Sequence, residues 1–189
     1  MHRLILAFFA ALMLFATACQ QPTANQNSKP VELTSTDIFL GHFAPLKGKS
    51  FAGRQVFASI YMESWAEKQL TLKVVEAGNT LVLLQLTVDG DDSRTWIISR
   101  ENGAQLSLRH EQLKKGDDET EPGMYGGFAA KDGNGLQQFF PADEFTCNLL
   151  PAICNNTWVV QFDDKLSTLS YLLFKEQELV FRLDFDLMQ

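Results

Sequence analysis

The run Glu178-Leu179-Val180-Phe181-Arg182-Leu183-Asp184-Phe185-Asp186-Leu187, near the C-terminus, decides the fold class. On an extended chain, Leu179, Phe181, Leu183, Phe185 and Leu187 fall on one side, and Arg182, Asp184 and Asp186 on the other. This period of two marks a strand with one face on a core and one in water. Residues 167–174 have the same character, and Lys175-Glu176-Gln177 between the two runs predicts a tight turn and a terminal hairpin. Working toward the N-terminus, strands are expected over residues 157–162, 105–112, 94–100, 80–88, 69–76 and 50–59. Their connections, Ala77-Gly78-Asn79, Asp89-Gly90-Asp91-Asp92 and Glu101-Asn102-Gly103, are built from turn formers.

The protein is therefore expected to be mainly β, an antiparallel meander. Short helical segments are expected at 35–43 and at 141–150, where Asp143 is placed to cap the second. A closed barrel of eight to ten strands accommodates this pattern without exposed sheet edges. A two-sheet sandwich uses the same strands and is the competing architecture. Fifteen phenylalanines and three tryptophans supply enough bulk to fill either interior. The charged stretch 114–122 reads as an exposed loop, and no repeat of fixed period is visible.

The N-terminus carries an address. Arg3, the apolar run from Leu4 to Phe15 and the small residues Ala16-Thr17-Ala18 form a secretory leader. The apolar run is too short to span a bilayer, which takes roughly 20 residues. Ala16-Thr17-Ala18-Cys19 resembles the lipobox of bacterial lipoproteins. That resemblance implies cleavage before Cys19, diacylglycerol on its thiol and an acylated new amino terminus, with Ala16 standing where leucine is commoner. More than one acyl chain makes such an anchor stable. Gln20 stands where an aspartate would retain such a protein at the inner membrane, so an outer-membrane location facing the periplasm is expected. The organisation predicted is a signal peptide over 1–18, a lipidated cysteine and flexible tether over 19–33, and a single β-rich domain over 34–189.

Composition narrows the partners. The formal net charge is −7, and without Arg3 of the leader the mature chain carries eight more acidic than basic groups. Such a domain is repelled by phosphate backbones, so nucleic acid is not expected as a partner. With Cys19 given to lipid, Cys147 and Cys154 remain for an oxidising compartment, and a disulfide between them is expected. Their spacing is not that of a Cys-x-x-Cys redox pair, and no histidine lies near them to complete a metal site.

Leu46-Lys47-Gly48-Lys49-Ser50-Phe51-Ala52-Gly53 resembles the opening of calycin-type barrels, in which a helical turn leads into a glycine-flanked aromatic on the first strand. This implies a calycin- or lipocalin-like barrel. Ser93-Arg94-Thr95-Trp96, Met124-Tyr125-Gly126-Gly127, Phe140-Pro141-Ala142-Asp143 and the closing run 181–187 resemble a group of secreted bacterial proteins with no assigned activity. The likeness implies a shared fold and export, and no chemistry. Those proteins carry several histidines after the segment matching Leu108-Arg109-His110. Here Glu111-Gln112-Leu113-Lys114 stands instead, which weakens any metal-binding reading.

Candidate functional residues are few. Past the leader the only histidines are His42 and His110. No nucleophile elbow, zinc-protease helix or phosphate-binding glycine loop is present, so hydrolase and nucleotide readings lack their minimum parts and no cofactor or metal is implied. Enzymatic action stands as a third reading, after binding and assembly, and would rest on His110, Arg94 and Tyr125. Asp89, Asp91 and Asp92 lack the spacing of a calcium loop and read as solvated turns. His110 shares the parity of Leu106 and Leu108 and is expected to point inward as a hydrogen-bonded core or rim histidine. Arg94 shares the parity of Trp96 and Ile98, so it is expected at a barrel mouth, either packing on tryptophan or meeting an acidic ligand group. Met124-Tyr125-Gly126-Gly127 reads as a strand bend, with Tyr125 placed to line an entrance. Arg94, Trp96, His110 and Tyr125 are thus the candidate ligand-binding set. The function expected is capture of a small apolar or amphipathic molecule. The alternative is a structural or assembly role in contact with another envelope protein.

Overall fold

The computed structural model describes residues 32–101, 105–112 and 123–188. The expected signal peptide, Cys19, nearly all of the expected tether, the stretch 114–122 and most of the expected 101–103 turn lie outside the described residues. Residues 32–189 form one compact unit. In chain order its elements are α1 (Ser35–Gly41), a 3-10 turn (Ala44–Leu46), β1 (Ser50–Ala58), β2 (Leu70–Ala77), β3 (Leu81–Val88), β4 (Asp91–Glu101), β5 (Gln105–Gln112), β6 (Tyr125–Phe128) and β7 (Gln137–Pro141). They continue with α2 (Glu144–Leu149), a 3-10 turn (Pro151–Ile153), β8 (Asn156–Phe162), β9 (Thr168–Lys175) and β10 (Glu178–Asp186).

The ten described strands form one antiparallel sheet in the order β6-β5-β4-β3-β2-β1-β10-β9-β8-β7. Every ladder joins sequence neighbours except that of β1 with β10, which brings the two ends of the chain's β region together. The result is a meander wrapped into a nearly closed barrel with one seam, between β6 and β7; the two-sheet alternative is set aside. The opening run behaves as its pattern predicts: Phe181, Leu183 and Phe185 are buried, and Arg182 and Asp184 pair on the outside, Nε to Oδ1 at 2.7 Å. Burial of each such side chain contributes about 1.5–3 kcal/mol, so the inward rows of ten strands supply most of the stability.

Two strands escaped the sequence pattern. β6 read only as a bend and β7 was not anticipated, because four and five residues are too few to establish a period. Pro141 ends β7, and the helix starts three residues later than expected, where the Asp143 carboxylate accepts the Thr146 N–H at 2.9 Å. The seam is stitched by that same helix start. Thr146 Oγ1 accepts the Gly126 N–H and donates to the Gly126 carbonyl, both at 2.7 Å. The Asp143 N–H reaches the same carbonyl at 3.1 Å, and the Ala130 N–H donates to the Phe139 carbonyl at 2.8 Å. Gly126 and Gly127 are glycines because of this crowding. A Cβ on Gly126 would lie 1.8 Å from the Leu108 carbonyl oxygen, and one on Gly127 would lie 1.8 Å from that of Pro141.

α1 plugs one end. Thr34 and Asp37 form a capping box at its start. Asp37 also pairs with Arg100 at the far end of β4, at 2.8 Å. Phe39 and Phe43 meet Phe162, the last residue of β8, edge to face at 6.0 and 4.9 Å. The helix stops at Gly41 instead of running to residue 43: Pro45 has no N–H to bond the Gly41 carbonyl, and the chain continues into the 3-10 turn.

Two hairpins turn on pairs of residues with positive φ, a geometry that matches strand twist: Asp89-Gly90 at 50° and 83°, and Glu176-Gln177 at 51° and 72°. Side chains other than glycine hold such angles at a cost, so Gln177→Gly is expected to stabilise the domain by about 1 kcal/mol. Urea unfolding of the variant checks this; an unchanged or lower midpoint would remove the claim.

Candidate functional site

Along β4 the chain passes from Arg94, at the end opposite α1, to Arg100 beside the plug, and β8 likewise runs from Asn156 to Phe162. At the end away from the plug the barrel is hollow. A cavity of about 630 Å³ opens there, and Arg94, Trp96, His110 and Tyr125 all line it. Register explains their meeting: Leu84, Trp96, His110 and Tyr125 are successive cross-strand partners on β3, β4, β5 and β6, so one parity carries all four inward.

The walls are aromatic. Trp96 stacks on Tyr171 of β9 at 4.0 Å with planes 10° apart. His110 stacks on Tyr125 at 4.7 Å and 6°. Trp158 of β8 closes on His110 at 5.0 Å. Trp65, in the β1–β2 connection, packs on Phe181 at 5.3 Å.

His110 is the polar centre of this cluster. Its Nδ1 lies 3.2 Å from the Tyr125 carbonyl and its Nε2 lies 2.8 Å from the Tyr171 hydroxyl. A carbonyl only accepts, so Nδ1 carries the proton, and the Tyr171 O–H donates to a bare Nε2. Burial lowers the His110 pKa from 6.5 to about 4, against the opposing pull of the Tyr125 carbonyl. Burial, with the neighbouring Tyr125 phenol as a second cause, raises Tyr171 well above 10. Both ring nitrogens are thus committed to the barrel wall, which is the structural role foreseen for this residue.

At the rim, the Arg94 guanidinium binds the Asp91 carboxylate at 2.9 Å and lies over the Trp65 ring at 5.7 Å. Its charge is engaged within the protein, which is the packing role of the two anticipated. The Asp89 carboxylate accepts the Gln69 N–H at 2.8 Å, and Asp91, which opens β4 instead of forming part of the expected turn, accepts the Ser93 N–H at 3.1 Å. Among the described residues no group of three histidine, cysteine or acidic side chains is arranged to hold a metal.

Cys147 and Cys154 are joined in a disulfide. The bridge pins the segment that carries Leu150 and Ile153 to the cavity wall. Closing a loop this small restricts the unfolded chain by about 2 kcal/mol, so Cys147→Ala/Cys154→Ala is expected to lower stability by that amount. Thermal unfolding with and without reductant checks it, since the variant should match the reduced wild type.

Sequence reasoning missed Trp65, Trp158, Tyr171 and Asn156 as site residues. Trp158 and Asn156 share an inward parity with Val160 and Phe162, and Tyr171 shares one with Leu169, which was a usable signal. Trp65 sits in a connection with no period, and nothing local marks it.

Fold and site together define a ten-stranded meander barrel, plugged at one end and hollow at the other, with an aromatic chamber organised around one neutral histidine. No protein-family model, curated protein or solved structure matches the chain.

Proposed function

We propose that the chain is an envelope lipoprotein, anchored through a lipid on Cys19 at the outer membrane and facing the periplasm, whose barrel binds a small apolar or amphipathic molecule. The observation that carries the binding reading is the aromatic-walled cavity of about 630 Å³, which lies in the size range of small-molecule sites and combines apolar surface with a few polar groups. Native mass spectrometry of protein extracted from membranes is expected to reveal a bound molecule. A preparation that carries no additional mass and takes up no apolar dye would overturn the reading. The lipid anchor rests on the leader sequence, and Cys19→Ser is expected to abolish palmitate labelling and release the protein from the membrane fraction. Labelling that persists in this variant would remove the anchor.

A second reading, contact with an envelope protein, draws on Ile60 and Tyr61. These adjacent side chains of the β1–β2 connection are 91% and 89% exposed. A photo-crosslinking residue in place of Tyr61 is expected, on that reading, to capture one partner in cells; uniform background labelling would discard it.

A further inference from the structure

We propose that the cavity selects an uncharged, flat molecule whose one polar group is held by the Asn156 carboxamide. This deepens the binding reading above and rests on it.

Asn156 opens β8 and lines the cavity. It is 7% exposed, yet its side chain makes no hydrogen bond to another described residue. A largely buried side-chain amide normally finds a protein partner, and this one has only the cavity to turn to. Facing a cavity, this amide offers a donor and an acceptor to whatever enters. Of the other polar groups around it, the Trp65 indole N–H is a second buried donor without a partner, and three sets are committed. His110 and Tyr171 satisfy each other, Arg94 is bound to Asp91, and Glu63 is bound to Lys68.

Charge balance excludes ionic ligands. An anion entering the chamber would need a free cation, and the one cation of the lining, Arg94, is paired with Asp91, the nearby Lys68 is paired with Glu63, and Glu111 adds negative charge at the mouth. A ligand cation would seek an aromatic face, but at the rim Arg94 and Lys68 already lie over Trp65, at 5.7 and 5.9 Å. Deeper in, a buried charge without a counter-charge is strongly disfavoured. What the chamber accommodates without penalty is a neutral planar surface against Trp158 and Tyr125, with a single hydrogen-bonding group directed at Asn156.

Three fluorescent probes of similar size separate the possibilities in the purified mature protein: uncharged N-phenyl-1-naphthylamine, anionic 8-anilino-1-naphthalenesulfonate and cationic thioflavin T. The naphthylamine is expected to bind at least tenfold more tightly than either ion and to quench tryptophan emission. Equal or tighter binding of an ion would overturn the selectivity while leaving the cavity reading intact; binding of none would overturn both. Asn156→Leu is expected to weaken the naphthylamine about fivefold, the value of one hydrogen bond, while leaving the urea midpoint of the free protein unchanged or raised. A lower midpoint with unaltered affinity would make Asn156 structural and overturn its assignment. Asn156→Gln, which keeps the amide, is expected to stay folded and to recover part of the affinity; recovery of none would count against the amide as the anchor.

Discussion

Gly127→Val should open the barrel at its seam. The nearest obstacle to a new Cβ is the Pro141 carbonyl oxygen at 1.8 Å, a backbone atom of a strand held by its pairing with β8, so the neighbour cannot swing aside as a side chain would. β6 and β7 must part, and the bonds that Gly126 makes with Thr146 and Asp143 are strained or lost with them. Overpacking of this kind, compounded by loss of buried hydrogen bonds, costs at least about 3 kcal/mol. In a domain of this size that corresponds to a fall in melting temperature of roughly 10 °C or insoluble expression. Gly41→Ala is the control, since nothing lies within 4 Å of the position its Cβ would take. A Gly127→Val protein that melts with the wild type would refute the seam as a closed structural element.

The second large effect is on pH. His110 accepts a proton near 6.5 when the chain is unfolded and only at about 4 when it is buried in the barrel. Between those values the unfolded state binds more protons, so acid favours unfolding. The stability contributed by the neutral imidazole is complete above about 6.5 and is lost as pH falls toward 4, amounting to about 2 kcal/mol at pH 5. Protonation also removes the acceptor for the Tyr171 hydroxyl, so the aromatic chamber is expected to loosen in the same range. Urea unfolding at pH 7.5 and pH 5 measures the loss. His110→Gln is expected to be less stable at pH 7.5 but nearly free of this pH dependence, and a parallel decline in both proteins would assign the effect elsewhere.

Both predictions depend on residues that the sequence exposed to view without explaining. Local pattern was enough for the long strands: alternation in β3, β5 and β10 follows from the two-residue repeat of an extended chain, and their observed bounds differ from the expected ones by at most one residue, while β4 begins three residues earlier than expected, taking in Asp91 and Asp92. It was also enough to send Trp96 and His110 inward, because parity along a strand is a local property. Short strands escaped, since β6 and β7 hold too few residues to show a period, and the glycines of β6 looked like a bend until their close approach to Leu108 and Pro141 gave them a reason.

By itself the sequence determined the β class, the paired cysteines, the acidic balance and the inward parity of the first wall, and it carries the leader and lipobox-like cysteine on which the envelope address is proposed. Only the tertiary structure decided that the meander closes through β1 and β10, that α1 plugs the end away from the cavity, and that Trp158 and Tyr171 face Trp96 and His110. The reason is physical: which face a side chain takes is fixed by its neighbours in sequence, whereas what it meets across a barrel is fixed by strand register and closure, which depend on residues as distant in sequence as Gly53 and Phe185.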